Sequence, residues 1–202
     1  NSQRLAREEL KRRVVFTYNQ ALACLCHHID MWYECVSFLS GLGYDEEAVS
    51  VFEKAISYPF LEDDILLHFA YADFQEYRNN FQEAENIYKR ILGKRNDILV
   101  HIQYLKFIRR TKGIHPAREY FIRSRKTSYH IYVASALMEY TINDNPSIAT
   151  RIFELGLKDF RNEPNLIIEY FKFLEHFNDK NNLRVLFEKI SREMPPDKSI
   201  EL

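Results

Sequence analysis

The sequence contains few of the residues that end or bend secondary structure. Of 202 residues, only 5 are glycine and 6 are proline. Sandwiches and barrels of short strands need turn residues about every ten positions, so this composition excludes an all-β architecture. The 3 cysteines cannot all pair with one another and form no disulfide framework, which favours a reducing compartment.

Long apolar runs and an excess of one charge are also missing. The longest apolar stretches, such as Ile65–Ala72, are much shorter than the roughly 20 residues of a membrane span, and we expect no membrane partner. Lys and Arg total 28 against 29 Asp and Glu, for a net charge of −1. The overall charge therefore gives no indication of nucleic-acid binding. Hydrophobic residues make up 46%, enough for a sizeable core.

One short pattern recurs along the chain: apolar, aromatic, polar, polar or basic, small, apolar. Its aromatic positions are Tyr18, Phe52, Tyr88, Phe121, Phe153 and Phe187, at steps of 34, 36, 33, 32 and 34 residues. Between successive copies, a second segment carries bulky residues at i, i+3 and i+6, as in Trp32, Cys35 and Phe38. This spacing is helical. Each repeat is therefore predicted to consist of two helices, A and then B.

The predicted fold is all-α, a right-handed α-α superhelix (solenoid) of about five helix pairs plus one extra N-terminal helix. In such arrays each repeat buries its apolar faces against its neighbours, and the aromatic residues of helix B, including Phe187, are predicted to be core. No linker interrupts the pattern, so we expect a single domain over 1–202. Its predicted parts are a helix at 3–27, helix pairs at about 30–57, 63–92, 96–126, 128–158 and 164–191, and an irregular tail at 194–202.

The details of the repeat resemble the HAT (half-a-TPR) motif of RNA-processing scaffolds. That motif has a Trp–Tyr–Phe–Glu pattern in helix A and an Ala-Arg-x-Ile-Phe-Glu pattern in helix B. Here helix A carries Phe74–Glu76. Helix B carries Ala84 followed by Ile87–Ile91, and Ala149 followed by Ile152–Glu154.

Further strings outside the repeat consensus resemble the family of HAT-repeat subunits of cleavage stimulation factor, over roughly residues 12 to 200. These strings are His27–His28, Trp32–Glu34, Phe69–Asp73, Ile102–Arg110, Ala136–Tyr140, Ile152–Lys158 and Asn181–Glu188. The match is to the C-terminal half of that family's HAT array, which is its dimerisation module.

The resemblance implies a nuclear, non-catalytic scaffold of pre-mRNA 3′-end cleavage and polyadenylation that acts as a homodimer. Its partners would be an RNA-binding subunit and cleavage and polyadenylation factor subunits, held mainly through regions absent from this sequence. Two alternatives stay open: a HAT scaffold of another complex, in splicing or ribosome assembly, and a solenoid that binds RNA directly.

A basic segment is the feature that supports direct RNA binding. From His101 to His130 there are eight Lys or Arg residues and one acid, Glu119, and such clusters contact phosphates. The candidate contacts with RNA or a protein partner are Lys106, Arg109, Arg110, Arg118, Arg123, Arg125 and Lys126. Solvation of this face, or contact with an acidic protein, explains the same cluster.

Surplus apolar residues, beyond what two consensus helices need, are candidates for the dimer interface, because exposed aromatic clusters mark interfaces. The candidates are Tyr129, Tyr132, Tyr140, Phe160, Leu166 and Phe177.

The segment Cys24–His28 contains two Cys and two His, the ligand types of zinc. Their near-adjacent spacing cannot bring four side chains onto one ion without a second segment, so we predict no metal site and expect a buried cysteine pair on an apolar helix face. No nucleophile–base pattern and no glycine-rich phosphate loop is present. The sequence therefore predicts no enzyme and no cofactor.

Overall fold

The regular elements of the described residues are helices throughout. A computed structural model of the protein describes residues 2–161 and 163–193, with the side chains of 8–161 and 163–188. These residues form eleven α-helices: α1 (Ser2–Cys24), α2 (Ile29–Gly41), α3 (Asp45–Ile56), α4 (Ile65–Tyr77), α5 (Phe81–Lys94), α6 (Ile98–Lys112), α7 (Ile114–Ser124), α8 (Tyr129–Thr141), α9 (Pro146–Asp159), α10 (Pro164–His176) and α11 (Lys180–Glu193).

The helices lie within a few residues of the predicted positions. The first helix ends at Cys24, not at residue 27, and a 3-10 turn, Arg125–Thr127, follows α7. The predicted tail at 194–202 lies outside the described residues. The chain divides after Arg95 into two compact units, one with α1–α5 and one with α6–α11, and the single-domain organisation stays a prediction.

Aromatic residues of helix B hold consecutive helix pairs together. Phe52, Phe121 and Phe153 each pack the ring on an aromatic residue of helix A in the following pair. The contacts between ring centroids are Phe52–Tyr71 at 5.0 Å in the first unit, and Phe121–Tyr132 at 5.3 Å and Phe153–Tyr170 at 4.9 Å in the second. Each pair stabilises its junction by about 1 kcal/mol beyond the burial of apolar area. The repeat in sequence thus corresponds to a repeat of inter-pair contacts.

The prediction that Phe187 is a core residue is wrong. Phe187 is 63% exposed, whereas the adjacent Leu186 is 5% exposed. Successive residues of a helix point about 100° apart, and in α11 it is Leu186 that points inward. The corresponding residues Phe52, Phe121 and Phe153 are, in contrast, at most 7% exposed.

A single residue with positive φ joins helix A to helix B in each of the five pairs. These residues are Gly43 (φ 79°), Asn79 (φ 60°), Gly113 (φ 94°), Asp144 (φ 52°) and Asn178 (φ 55°). Glycine adopts this conformation without a Cβ clash, and Asn and Asp tolerate it better than other residues. The chain reverses within four residues at these points, which keeps the two helices of a pair side by side.

Candidate interaction surfaces

The predicted basic segment covers α6, α7 and the 3-10 turn, and the structure divides its cations into two groups. Arg109, Arg118 and Arg125 are partly buried and reach across to other elements of the second unit. Lys106, Arg110, Arg123 and Lys126 are exposed. The side chains of the second group are therefore the more accessible to a partner.

Arg118 of α7 forms a bidentate ion pair with a residue of α8. Its Nε and Nη2 donate to the two carboxylate oxygens of Glu139 at 2.6 and 2.8 Å. Glu139 is 2% exposed, and Asn143 Nδ2 donates to it as well, at 3.0 Å. Arg109 Nε in turn donates to Asn143 Oδ1 at 2.6 Å. The two arginines therefore stabilise the α6–α7–α8 junction.

This network shifts the pKa of the Glu139 carboxyl group. Burial raises that pKa. The hydrogen bonds from Arg118 and Asn143 and the charges of Arg118 and Arg109 lower it by more, so that the pKa is below the ordinary value of 4.5. Glu139 is therefore an anion in the folded protein at neutral pH. Its charge is matched within the fold, not by a ligand.

Arg125, in the 3-10 turn that follows α7, is also paired with an acid of the next helix pair. Its Nη1 donates to Asp159 Oδ2 of α9 at 3.1 Å, and Tyr132 OH donates to the same oxygen. Arg125 joins the end of α7 to the end of α9. Like Arg118, it has a structural partner already.

Sequence reasoning identified the cations but missed the acids that bind them. Arg118 follows Ala117, as in the Ala-Arg pattern of a HAT helix B, and Glu139 occupies the Glu position that ends the helix A pattern. Those two positions were the available signal. Only the fold shows that these two consensus positions lie close enough to form an ion pair.

Two of the predicted dimer residues are enclosed by their own unit. Tyr132 and Leu166 are both 0% exposed. A Cβ atom at Gly156 of α9 would lie 3.2 Å from both side chains. Because glycine has no Cβ atom, α9 can approach α8 and α10 closely at this position. Neither Tyr132 nor Leu166 offers surface to a second chain in this fold. Tyr132 and Leu166 are core residues and not interface residues, since the surplus of apolar residues in the sequence includes residues that the core of the unit uses.

The structure brings two other dimer candidates together. Tyr140 of α8 and Phe177 at the end of α10 lie 6.1 Å apart between ring centroids, with the ring of His176 at 5.8 Å from Tyr140. Phe177 is 42% exposed and Tyr140 is half-buried. We call Tyr140, His176 and Phe177 the aromatic cluster. Tyr129 and Phe160 are half-buried elsewhere in the second unit.

The Cys24–His28 segment forms the turn between α1 and α2. Cys24, the last residue of α1, is exposed, and Cys26 in the turn is partly exposed. The expectation of a buried pair is therefore wrong. The Cys26 carbonyl accepts a hydrogen bond from Trp32 Nε1 at 2.9 Å. His27 stacks on Phe60 at 4.1 Å.

The described part of the chain contains neither a metal-binding cluster nor a membrane-spanning helix. There, no three or more His, Cys, Asp or Glu side chains come together in a way that could hold a metal ion. None of the helices described has the length and apolar character required to cross a bilayer.

Comparison with known proteins gives concordant matches. The profile of the family described as Suppressor of forked protein (Suf) matches residues 1–201. "Cleavage stimulation factor subunit 77" of Arabidopsis thaliana is 38% identical over all of this chain and 28% of its own length. "Protein suppressor of forked" of Drosophila melanogaster is 34% identical over 95% of this chain and 32% of its own length. The chain thus spans less than a third of these relatives.

A solved structure matches the fold. A crystal structure of CstF-77 superposes with a TM-score of 0.75 at 22% identity, over 92% of this chain and 48% of that one. This likeness confirms the predicted fold class, an all-α superhelix of helix pairs.

Proposed function

Since the chain belongs to the suppressor of forked (Suf) family, we propose that it is a non-catalytic scaffold module of the nuclear machinery for pre-mRNA 3′-end cleavage and polyadenylation. The observation that carries this proposal is the match of the family profile to nearly every residue of the chain. The named relatives are a cleavage stimulation factor subunit and the suppressor of forked protein. The first of these names is that of a subunit of a multi-subunit factor.

The local structure supports a scaffold. Aromatic contacts between pairs and the Arg118–Glu139 ion pair hold neighbouring helices in fixed positions. Interior side chains are thereby fixed by packing and by paired charges, which is what a rigid support needs and what a moving active-site lid lacks. The partners in this proposal are an RNA-binding subunit and cleavage and polyadenylation factor subunits.

We also propose that the module acts as a homodimer through the aromatic cluster. Tyr140 and Phe177 present rings at the surface of the second unit, and aromatic side chains are enriched at the centre of stable interfaces. A dimer holds two copies of each bound partner together. Two tethered RNA-binding subunits would raise the effective concentration on an RNA that offers two sites.

A chimera of the Arabidopsis relative, in which this chain replaces the matching segment, tests the scaffold proposal. In cells depleted of that relative, the chimera is expected to restore 3′-end cleavage of a reporter transcript, measured as the ratio of cleaved to read-through RNA. The matched control is a chimera in which this segment is replaced by an unrelated helical domain of similar length. A chimera that reaches the native protein level, yet leaves the ratio where the control leaves it, would contradict the proposal.

Sedimentation equilibrium over a concentration series tests the dimer. The expected mass is about twice the 24.2 kDa of the chain. Phe177→Asp is expected to weaken dimerisation about a hundredfold, because a carboxylate in an apolar interface loses its hydration without gaining a partner. Ile122→Asp is the matched control, since Ile122 is 64% exposed on α7, and it should leave the mass unchanged. A monomer at every concentration refutes the dimer, and a dimer that Phe177→Asp does not weaken refutes this interface.

A further inference from the structure

Helices α6 and α8 of the second unit enclose an open groove of about 480 Å³. This volume is within the range of sites that accept bulky ligand groups. Apolar side chains from both helices form its floor: Ile102, Val133, Ala134, Leu137 and Met138. Leu137 is 39% exposed, and Ile142, at 57%, extends the apolar surface beyond the end of α8.

The rim of the groove is basic. Lys106 and Arg110 of α6 line it together with His130 of α8, and no carboxylate is among the residues that line it. Lys106 is exposed, and the ion pairs found among the described side chains do not include it. Lys106 and Arg110 are one helical turn apart, so both project over the same stretch of apolar floor.

We propose that this groove docks an acidic peptide segment of a partner protein. An apolar side chain of the peptide inserts into the floor between α6 and α8, and flanking carboxylates contact Lys106 and Arg110. Both features are needed, because the floor supplies burial of apolar area and the rim supplies the charge complementarity that selects the partner. The inference deepens the scaffold function and rests on it, as it names the chemistry of one partner.

A peptide fits the groove better than RNA does. Unstacked bases bind on aromatic or arginine planes. Such planes occur here only in Arg110 and His130 at the rim, and the floor of the groove consists of aliphatic side chains and one methionine. Arg118 and Arg125, which would have extended a phosphate-binding track along the segment, are held by Glu139 and Asp159. What remains is a short basic rim over an apolar floor.

Selection from a phage-displayed random peptide library on the immobilised chain tests the proposal. The expected result is enrichment of peptides with Asp or Glu on both sides of a leucine or an aromatic residue. Fluorescence anisotropy of one selected peptide, synthesised with a label, then measures its affinity for each variant. An oligouridine probe is measured in parallel.

Two substitutions separate the charge from the floor. Lys106→Glu is expected to weaken peptide binding about tenfold, and Leu137→Glu about as much, because each places a carboxylate beside those of the peptide. Lys126→Glu is the matched control. It makes the same charge change at an exposed lysine that does not line the groove, and it should change the affinity less than about twofold.

The proposal is overturned if no acidic peptides are enriched, or if Lys106→Glu and Lys126→Glu weaken binding equally. It is also overturned if the oligouridine binds and depends on Lys106 while no peptide does, since the surface would then be an RNA site. Loss of the dimer mass in Lys106→Glu would show that a second copy occupies the groove and would equally refute it. If the chain selects acidic peptides but its chimera does not restore cleavage of the reporter, the scaffold function is refuted and the peptide-binding groove is supported.

Discussion

Replacing Arg118 by alanine is expected to lower the free energy of unfolding by about 3 kcal/mol, the cost of leaving one charge of a buried ion pair without its partner. Glu139 would stay inside the second unit with 2% of its surface exposed. Asn143 Nδ2 would still donate a hydrogen bond to it. The figure is at the low end of the range for buried pairs because the Arg118 side chain is itself 33% exposed.

Arg123→Ala is the matched control on the same helix. Arg123 pairs with Glu119 at 3.5 Å, but the two side chains are 76% and 67% exposed, and such a pair contributes about 0.5 kcal/mol or less. Urea denaturation followed by far-ultraviolet circular dichroism measures both variants. Equal shifts of the midpoint would show that Arg118 does not support the α7–α8 junction.

The Arg118 effect is expected to depend on pH. In the native protein the pKa of Glu139 is below 4.5, so its contribution to stability is present above that value and is lost as the pH falls through the lower, folded-state pKa. In Arg118→Ala the carboxyl group keeps its burial and loses its cation, so its folded-state pKa rises. The stability difference between the two proteins should therefore shrink as the pH falls from the raised folded-state pKa of the variant to the lowered folded-state pKa of the native protein. A difference that is constant from neutral to acidic pH would contradict this account.

Replacing Trp32 by alanine is expected to lower the free energy of unfolding by about 3 to 5 kcal/mol. Trp32 of α2 is 0% exposed and lies 5.7 Å from Tyr58 between ring centroids. Its indole Nε1 also donates to the Cys26 carbonyl in the α1–α2 turn. The substitution leaves a large cavity in the first unit and removes the hydrogen bond that holds this turn against α2.

Leu66→Ala is the control in the same unit. Leu66 of α4 is 63% exposed, and its truncation should cost less than about 0.5 kcal/mol. Circular dichroism must follow the transition, because Trp32 is the only tryptophan of the chain and its fluorescence disappears with it. Trp32→Phe should recover part of the loss, since it refills most of the cavity but cannot donate to Cys26. Identical midpoints for Trp32→Ala and Leu66→Ala would contradict the assignment of Trp32 to the core.

The helix pairs could be predicted because they repeat. Spacing of bulky residues at three to four positions is a local property of a helix, and six aromatic positions at nearly equal steps leave little freedom in where each pair lies. The connections were less apparent. Gly43 and Gly113 are turn residues by type, whereas Asn79, Asp144 and Asn178 take the same positive φ with side chains that occur in many other contexts.

The candidate surfaces were predicted less well, because exposure is decided by neighbours far away in sequence. Composition alone does not separate Tyr132, which α9 covers, from Phe177, which is 42% exposed. Nor does it separate Arg118, whose charge is matched by Glu139 twenty-one positions away, from Lys106, which lines the open groove. In each case the residue type is the same or similar, and the packing partner differs.

The amino-acid sequence by itself determined the all-α fold class, the helix pairs and the family, because helical periodicity and repeat spacing are encoded along the chain. Only the tertiary structure decided which cations and aromatic residues remain available to a partner. Burial and charge pairing depend on distances between helices. Those distances follow from how the pairs pack, through contacts such as the close approach at Gly156 and the Arg118–Glu139 ion pair.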